Sequence, residues 1–226
     1  MFRLFECCAL SFFERFVLSF SLKIERFVSD SAEIWICGLY FLFVEHLGER
    51  ALAVTNVVRN ISGIPFMVVA AFASTCSALV SNLIGAGRED MVMSTIRQHV
   101  RLTFMIVLPM VGCFALFPRV ILGVYTNIPD LIAAAIPSLW VYCTTPLLIA
   151  PGNIYFQAVS GTGNTRKAFI LELVTLSFYT LYIYVIIQHL RFDVAWCWTS
   201  EHVYGFCILL LCYAYMRGGS WKLKKI

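Results

Sequence analysis

The sequence predicts an all-α integral membrane protein, built as a bundle of six transmembrane helices. Of its 226 residues, 60% are hydrophobic and only 13% are charged, and the mean hydropathy is +0.82. A soluble domain is about half apolar and about a quarter charged, so this chain lacks the polar surface that water requires. Its apolar residues form long unbroken runs. That pattern favours helices over barrel strands, which alternate apolar and polar residues.

Six apolar runs are candidate spans, because a helix needs about 20 residues to cross the hydrocarbon core. The run 131–159 contains no charged residue, whereas Asp30 and Glu33 interrupt the first and weakest run. Each of the other long runs holds one charge within it or at its edge. We expect spans at 27–44, 51–80, 100–117, 131–159, 168–190 and 194–216.

These spans divide the chain into three parts. Residues 27–216 form the six-span lobe and residues 217–226 a basic tail. Residues 1–26 begin somewhat like a secretory signal, but Glu6 and Glu14 interrupt the apolar region and no small-residue cleavage site follows. We therefore expect an in-plane amphipathic helix or a degenerate remnant of an earlier span there.

The basic residues predict the topology. With alternating spans, one side of the membrane receives the N-terminal segment, the loops 81–101 and 160–167, and the tail. That side carries thirteen Lys and Arg residues and the opposite side carries three. Because basic residues collect in cytoplasmic loops, both termini are expected in the cytoplasm.

Two connections share a glycine pattern. The segments NLIGAGRE (82–89) and AVSGTGNTR (158–166) each follow an apolar helix end with Gly-x-Gly and a polar or basic turn. Glycine ends helices because it tolerates a left-handed backbone. The pattern is either a faint internal repeat or two independent helix stops. Its residues are Gly85, Gly87, Arg88, Gly161, Gly163 and Arg166.

The segments EHLGERALAVTNVVRNI (45–61), ALVSNLIGAGRED (78–90) and VSGTGNTRKA (159–168) resemble the multidrug and toxic compound extrusion (MATE) transporters, most closely the bacterial members. The resemblance covers about residues 31–226. Family members typically have twelve spans in two six-helix lobes, and this chain resembles the second lobe. The resemblance implies a multi-pass protein of the bacterial inner membrane that exports small molecules, driven by Na⁺ or H⁺, with no other cofactor.

The resemblance also suggests where ions couple. The family often has a carboxylate in the first helix of this lobe, and Glu33 lies near that position. Arg59 and Asn60 in the second span are further candidates; Arg59 either pairs with Glu45 or Glu33 or extends to the interface. Some members carry an aspartate in the fourth helix. The run 131–159 has none, so that site is absent or built otherwise.

Three prolines, Pro137, Pro146 and Pro151, fall in a single predicted span. Broken helices line substrate cavities in many transporters, although proline also produces simple structural kinks. Aromatic faces suit organic cations, but aromatics at helical spacing are more often packed. The residues expected to face a cavity if the helix is broken are Tyr142, Pro146, Pro151, Asn153, Tyr155 and Gln157.

Two further carboxylates lie inside apolar runs. We expect Glu172 to be only partly buried, either paired with Arg or Lys at the interface or functional. Glu201 suits the positive N-terminal end of the last helix, where Asp193 and Thr199 are candidate caps. His202 is expected near a span end, which argues against an intramembrane hydrolase.

Three functions remain open. The first is the C-terminal half of a cation-coupled multidrug efflux antiporter, with a missing N-terminal lobe or a second copy as partner. The second is a truncated non-transporting remnant, because SLKIERFVS (21–29) departs from the family pattern. The third is a lipid-linked flippase or an intramembrane enzyme. The sequence has no Walker A motif, no Cys-x-x-Cys and no nucleophile elbow. We therefore expect no enzyme, no metal and no nucleic-acid partner.

Overall fold

The computed structural model describes residues 40, 44–45, 47–186, 193–219 and 221. Eight α-helices are assigned within these ranges, and a 3₁₀ turn at Glu89–Met91 precedes the second of them. The helices are α1 (Glu49–Gly85), α2 (Val92–Leu116), α3 (Pro118–Gly123), α4 (Pro129–Thr144), α5 (Pro146–Gly161), α6 (Thr165–Tyr184), α7 (Val194–Cys197) and α8 (Ser200–Arg217).

Four of the predicted spans are confirmed by helix length and composition. Four helical segments are long and apolar enough to cross a membrane: Glu49–Gly85, Glu89–Leu116, Thr165–Tyr184 and Val194–Arg217. The bent pair α4 and α5 meets the same criteria when its two helices are taken together, as a broken span or a re-entrant loop. The predicted first span, with Glu33, lies outside the described residues apart from its end, as does the segment 1–26.

Helix α1 is the longest element and contacts α2, α4 and α5. It has 37 residues, which corresponds to about 55 Å and exceeds the thickness of a bilayer core. One face is buried along almost the whole helix, from Val54 through Ile61 to Val80. Because this face continues past the length of a single span, α1 connects the packing at both ends of the bundle.

Helices α5 and α8 pack together most extensively. Two glycines allow this close approach. A Cβ on Gly152 would lie 2.8 Å from Ile208 Cγ2, and a Cβ on Gly205 would lie 3.0 Å from atoms of Ile149. Small residues at helix interfaces let backbones come together, and close packing is the main force between helices in lipid. The pair therefore forms the centre of the lobe.

Both ends of the bundle have their own core. Near the C-terminal ends of α1, α5 and α8, a cluster includes Val80, Val159 and Met216. Trp221, which the sequence analysis placed in the tail, is part of this cluster and donates from Nε1 to the Met216 carbonyl at 2.8 Å. At the opposite end, Trp198 packs with residues of α1, α3 and α4.

The connection between the third and fourth spans contains the short helix α3. Pro118 occupies its first turn, where a missing N–H has no consequence. Leu122 is fully buried, while Val120 and Val124 are exposed. This short segment is therefore amphipathic.

Candidate ion and substrate site at the broken span

The fourth span breaks between α4 and α5, which meet at an angle of 46°. Pro146 starts α5 and has no N–H to donate. At the break, the Thr145 N–H bonds the Tyr142 carbonyl at 2.9 Å, three residues back rather than four. The Thr144 hydroxyl donates to the Val141 carbonyl at 2.8 Å. The Thr144 side chain therefore donates a hydrogen bond to a backbone carbonyl at the point where the helix is interrupted.

His202 links α8 to this break. Its Nε2 lies 2.8 Å from the Thr144 hydroxyl oxygen. Since that hydroxyl donates to Val141, the geometry suits His202 Nε2–H as the donor. The sequence analysis expected His202 near a span end. The structure agrees: His202 is the third residue of α8, in the first part of the span Val194–Arg217, and it lies beside the break between α4 and α5.

A pocket of about 580 Å³ opens beside the break. It is a shallow, open depression whose walls are mostly apolar, with a few hydroxyl groups and one imidazole. Tyr182 and Thr199 join across it, with their hydroxyl oxygens 2.8 Å apart. The pocket is lined by Trp140, Val141, Thr144, Tyr182, Thr199, His202 and Val203.

The predicted cavity residues do not line this pocket, and their contact with a substrate stays a prediction. Tyr142 is buried and donates to the Ser62 carbonyl on α1 at 3.0 Å. Tyr155 is also buried and packs edge-to-face on Tyr213, with centroids 5.5 Å apart. Both tyrosines are therefore packed inside the lobe rather than in the wall of the pocket.

The other four cavity candidates belong to α5. Pro146 and Pro151 are buried, and Asn153 and Gln157 are half-buried. None of the four is among the residues lining the described pocket. Contact between these residues and a substrate stays a prediction.

An aromatic cluster stands next to the pocket. The Trp198 ring packs edge-to-face against Tyr40 and Tyr142, with centroid distances of 6.2 and 6.0 Å. Trp198 and Tyr40 are almost completely buried. Because Tyr142 also bonds α1, the cluster ties α1, α4 and the start of α8 into a single wall.

The ion-coupling candidates fall partly outside the described residues. Glu33 is not among them. Arg59 is half-buried on α1, and its charge acts on the hydroxyl groups of Tyr40 and Tyr179. Asn60, the next residue, is exposed. Arg59 therefore lies close enough to this tyrosine cluster to act on it electrostatically, while its pairing with Glu45 or Glu33 stays a prediction.

The carboxylate of Glu201 reaches the same cluster. The Tyr179 hydroxyl donates to Glu201 Oε1 at 3.4 Å, and Glu201 also acts electrostatically on Tyr40 and Tyr142. Sequence reasoning treated Glu201 as a helix-start charge and therefore missed these neighbours. Its own position in the first turn of α8 is confirmed.

The last span is also interrupted in this region. The helix stops at Cys197 and restarts at Ser200. Asp193 and Thr199 occupy the N-cap positions of α7 and α8, as expected, but neither makes a side-chain cap hydrogen bond. Thr199 instead bonds the Trp196 carbonyl and contacts Tyr182.

The expectation that Glu172 would be partly buried was wrong. It lies on α6 with only 2% of its surface exposed. Its helix packs on α8, and its charge acts on the thiol of Cys212 there. The residues around it belong to the core near the Gly-x-Gly turns. The packing of α6 against α8 therefore encloses the Glu172 carboxylate.

The two Gly-x-Gly turns lie at the same end of the bundle. The Ser81 hydroxyl, near the end of α1, donates to the Gly161 carbonyl at the end of α5, at 2.8 Å. Gly87 and Gly163 both have left-handed backbones, with φ of 70° and 76°. The nearby Arg88 and Arg166 side chains are exposed. The turns share their geometry, while an internal duplication stays a hypothesis.

No group of His, Cys, Asp and Glu suited to a metal ion occurs among the residues that the structure describes. The candidate site thus consists of the break, the pocket and the charged tyrosine cluster. Its aromatic faces and hydroxyl groups have the chemistry for reversible binding of small molecules.

Comparison with solved structures shows the fold. A MOP superfamily transporter from Pyrococcus furiosus, whose description notes a binding pocket of reverse polarity that suggests a different function, matches with a TM-score of 0.73 and 13% identity. A multidrug resistance MATE family transporter in an outward-facing conformation matches with a TM-score of 0.74 and 13% identity. Each match covers 88% of this chain and 43% of the other.

Comparison with curated proteins finds no match. The sequence model of the MatE family matches residues 27–185, which is more than half of the chain. The chain spans less than half the length of the two transporters that share its fold. These findings together show that the chain belongs to the MatE family of membrane transporters and has the fold of part of such a protein.

Proposed function

We propose that this chain forms one lobe of an antiporter that exports organic cations or related compounds, driven by inward flow of Na⁺ or H⁺. The observation that carries the proposal is the broken span α4–α5 inside a MatE lobe, with polar groups and a pocket at the break. Transporters bind substrates near such discontinuous helices, and two lobes move around the shared site.

The pocket offers the chemistry that an organic cation needs. Trp140 and Tyr182 provide aromatic faces, which attract cations through the π system. Thr144 and His202 provide hydrogen-bonding groups beside them. Substrate release would follow if lobe movement altered the break, because Thr144 belongs to both the pocket and the interrupted backbone.

Ion coupling is proposed for Glu33, assisted by Arg59 and Asn60. A carboxylate inside an apolar span is expensive, by about 3 kcal/mol at a helix centre on insertion scales, and such groups commonly bind ions. In an assembled transporter, Glu33→Gln should abolish ion-driven efflux and leave membrane insertion unchanged. Undiminished efflux in that variant would remove Glu33 from the mechanism.

The assembled protein would lie in a bacterial inner membrane, with both termini in the cytoplasm. Cysteines placed at Arg88, Arg166 and Arg50 test this orientation, in a background whose accessible cysteines have been replaced. A membrane-impermeant thiol reagent added to intact cells should label position 50 and leave 88 and 166 unlabelled. The reverse pattern would overturn the orientation.

Transport itself is tested by accumulation of a fluorescent organic cation in an efflux-deficient bacterium. Because one lobe provides one wall of a two-lobe cavity, the chain alone should give no efflux. Co-expression with the N-terminal lobe of a related MatE transporter should give ion-dependent efflux. Efflux by the chain alone would indicate a homodimer. Correctly inserted lobes with no efflux in either case would contradict the proposed function.

A further inference from the structure

The two ends of the bundle differ in charge. At the end with the Gly-x-Gly turns, the described residues include six exposed basic side chains and two acids outside the core, Glu89 and Asp90. At the opposite end, two exposed basic side chains, Arg50 and Arg119, accompany four exposed acids. The six basic residues are Arg88, Arg97, Arg101, Arg166, Lys167 and Arg217, and the four acids are Glu45, Glu49, Asp130 and Asp193. The first end therefore carries a positive charge that the described residues around it do not balance.

Two of these basic residues form a pair on α2. Arg97 and Arg101 are four positions apart, so their side chains leave the same face of the helix, and both are exposed. Helix α2 contains no Asp or Glu, so the pair has no carboxylate on its own helix. Arg97 also lies close to the Tyr155 hydroxyl, but a guanidinium has five N–H donors. The pair can therefore still bind an anion, which would also relieve the repulsion between two like charges.

Arg101 marks the point where the apolar part of α2 begins. No charged residue occurs from Leu102 to Leu116, which corresponds to about 22 Å of helix. The whole helical segment Glu89–Leu116 has 28 residues, or about 42 Å, and exceeds the hydrocarbon core of about 30 Å. Its charged part therefore extends towards the lipid headgroups, which long arginine side chains also reach from just inside the core.

Beyond the pair, the same face of α2 is apolar and open. At 3.6 residues per turn, Met105 and Leu108 follow Arg97 and Arg101 along one face, and both are exposed, Met105 by 73%. The opposite face packs inside the lobe, and its buried residues include Ile96, Thr103 and Val107. One face of α2 therefore combines two cations with an adjoining apolar strip. A phospholipid has the complementary arrangement, with a phosphate at the end of its acyl chains.

We propose that this face of α2 binds an anionic phospholipid, with its phosphate between Arg97 and Arg101 and an acyl chain along Met105 and Leu108. Arginine binds phosphate through paired N–H donors. An anionic headgroup suits the site better than a zwitterionic one, because the latter brings a positive group to an end of the lobe that is already positive. The binding requires no transport, so it does not rest on the proposed function.

The test measures lipid binding to the purified 226-residue chain in a neutral detergent. Native mass spectrometry counts the lipid molecules that stay bound as phosphatidylglycerol, or phosphatidylcholine with the same acyl chains, is titrated. The wild type should bind phosphatidylglycerol saturably and more tightly than phosphatidylcholine. Glycerol phosphate, which has the anion without the acyl chains, should not displace the bound lipid at the same concentration.

Arg97→Gln/Arg101→Gln should weaken phosphatidylglycerol binding by about 30-fold, and each single change by about fivefold, because that is the usual contribution of a basic residue to attraction of anionic lipid. Arg50→Gln/Arg119→Gln is the matched control, since it removes the same charge from exposed positions at the other end and should leave binding unchanged. Arg97→Lys/Arg101→Lys keeps both charges and should lose much less than the glutamine pair. Circular dichroism and gel filtration establish that each variant is folded.

Four results would overturn the proposal. Equal wild-type affinity for the two lipids would show no preference for an anion. An equal loss in the two double glutamine variants would show attraction by overall charge rather than by a site on α2. Displacement by glycerol phosphate would assign the site to a free phosphate. Finally, the preference should persist in a complex with the N-terminal lobe of a related MatE transporter, and its loss there would show that the other lobe covers this face. The proposed function is tested separately, by efflux.

Discussion

The two Gly-x-Gly turns share a local geometry but differ in what surrounds them. In each turn, the second glycine has a left-handed backbone and its N–H bonds a carbonyl three residues back, Gly87 to Ile84 and Gly163 to Ser160. The first glycines differ. A Cβ on Gly161 would lie 2.6 Å from the Ser77 carbonyl oxygen, whereas a Cβ on Gly85 would meet nothing within 4 Å.

This difference shows that one pattern can hold a glycine for two reasons. The second position needs glycine because of its own backbone angle, which is a local requirement. At the first position, Gly161 is needed because α1 and α5 touch there, and this is a tertiary requirement. Gly85 has no such neighbour among the described residues. The two Gly-x-Gly segments are therefore similar in sequence, but their first glycines have different structural roles.

The largest expected effect is that of Gly161→Ala. The added methyl group would collide with the backbone of Ser77, which cannot rotate away, so α1 and α5 must separate. Overpacking of this kind costs about 1–3 kcal/mol. The thermal unfolding midpoint of the purified protein should fall clearly below that of the wild type. An unchanged midpoint would show that the two helices do not touch at this position.

Gly87→Ala and Gly163→Ala should come next and should resemble each other. A left-handed conformation costs an L-residue about 1–2 kcal/mol, and the two glycines have similar φ angles in this region. Asparagine tolerates the region better, so Gly87→Asn and Gly163→Asn should lose less stability. A large difference in thermal unfolding midpoint between the two alanine variants would show that the two turns are not locally equivalent.

Ser81→Ala tests the contact between the turns. The Ser81 hydroxyl donates to the Gly161 carbonyl at 2.8 Å, and losing such a bond costs about 1 kcal/mol. Ser160→Ala, in the second turn itself, serves as the control because no hydrogen bond of its side chain is described. Equal unfolding midpoints for the two variants would show that the interhelical bond contributes nothing to stability.

The smallest effect, and one of opposite sign, is expected for Gly85→Ala. Its Cβ would enter open space at the last position of α1, and alanine favours helices over glycine by about 0.5–1 kcal/mol. The midpoint should stay equal or rise slightly. A pronounced fall would reveal an additional contact at Gly85 and make the two turns alike.

The sequence by itself determined the spans, the turns and the break. Apolar length predicts a membrane helix, a glycine after a helix end predicts a stop, and a missing proline N–H predicts an interruption, as at Pro146. Each of these properties depends on residues close together in the chain. They therefore do not depend on how the other helices pack, and four long apolar helices and the bent pair α4–α5 lie where spans were expected.

Only the tertiary structure decided how far each polar group is buried and which partners it has. Glu172 and Glu201 are both single acids in apolar runs, yet α8 encloses the first and leaves the second half-buried. His202 meets Thr144 across 58 positions of sequence. Tyr142 points to α1 rather than into the pocket. Burial and partnership depend on which helices touch, and helix contacts in lipid arise from the fit of small residues such as Gly152 and Gly205, which no local pattern specifies.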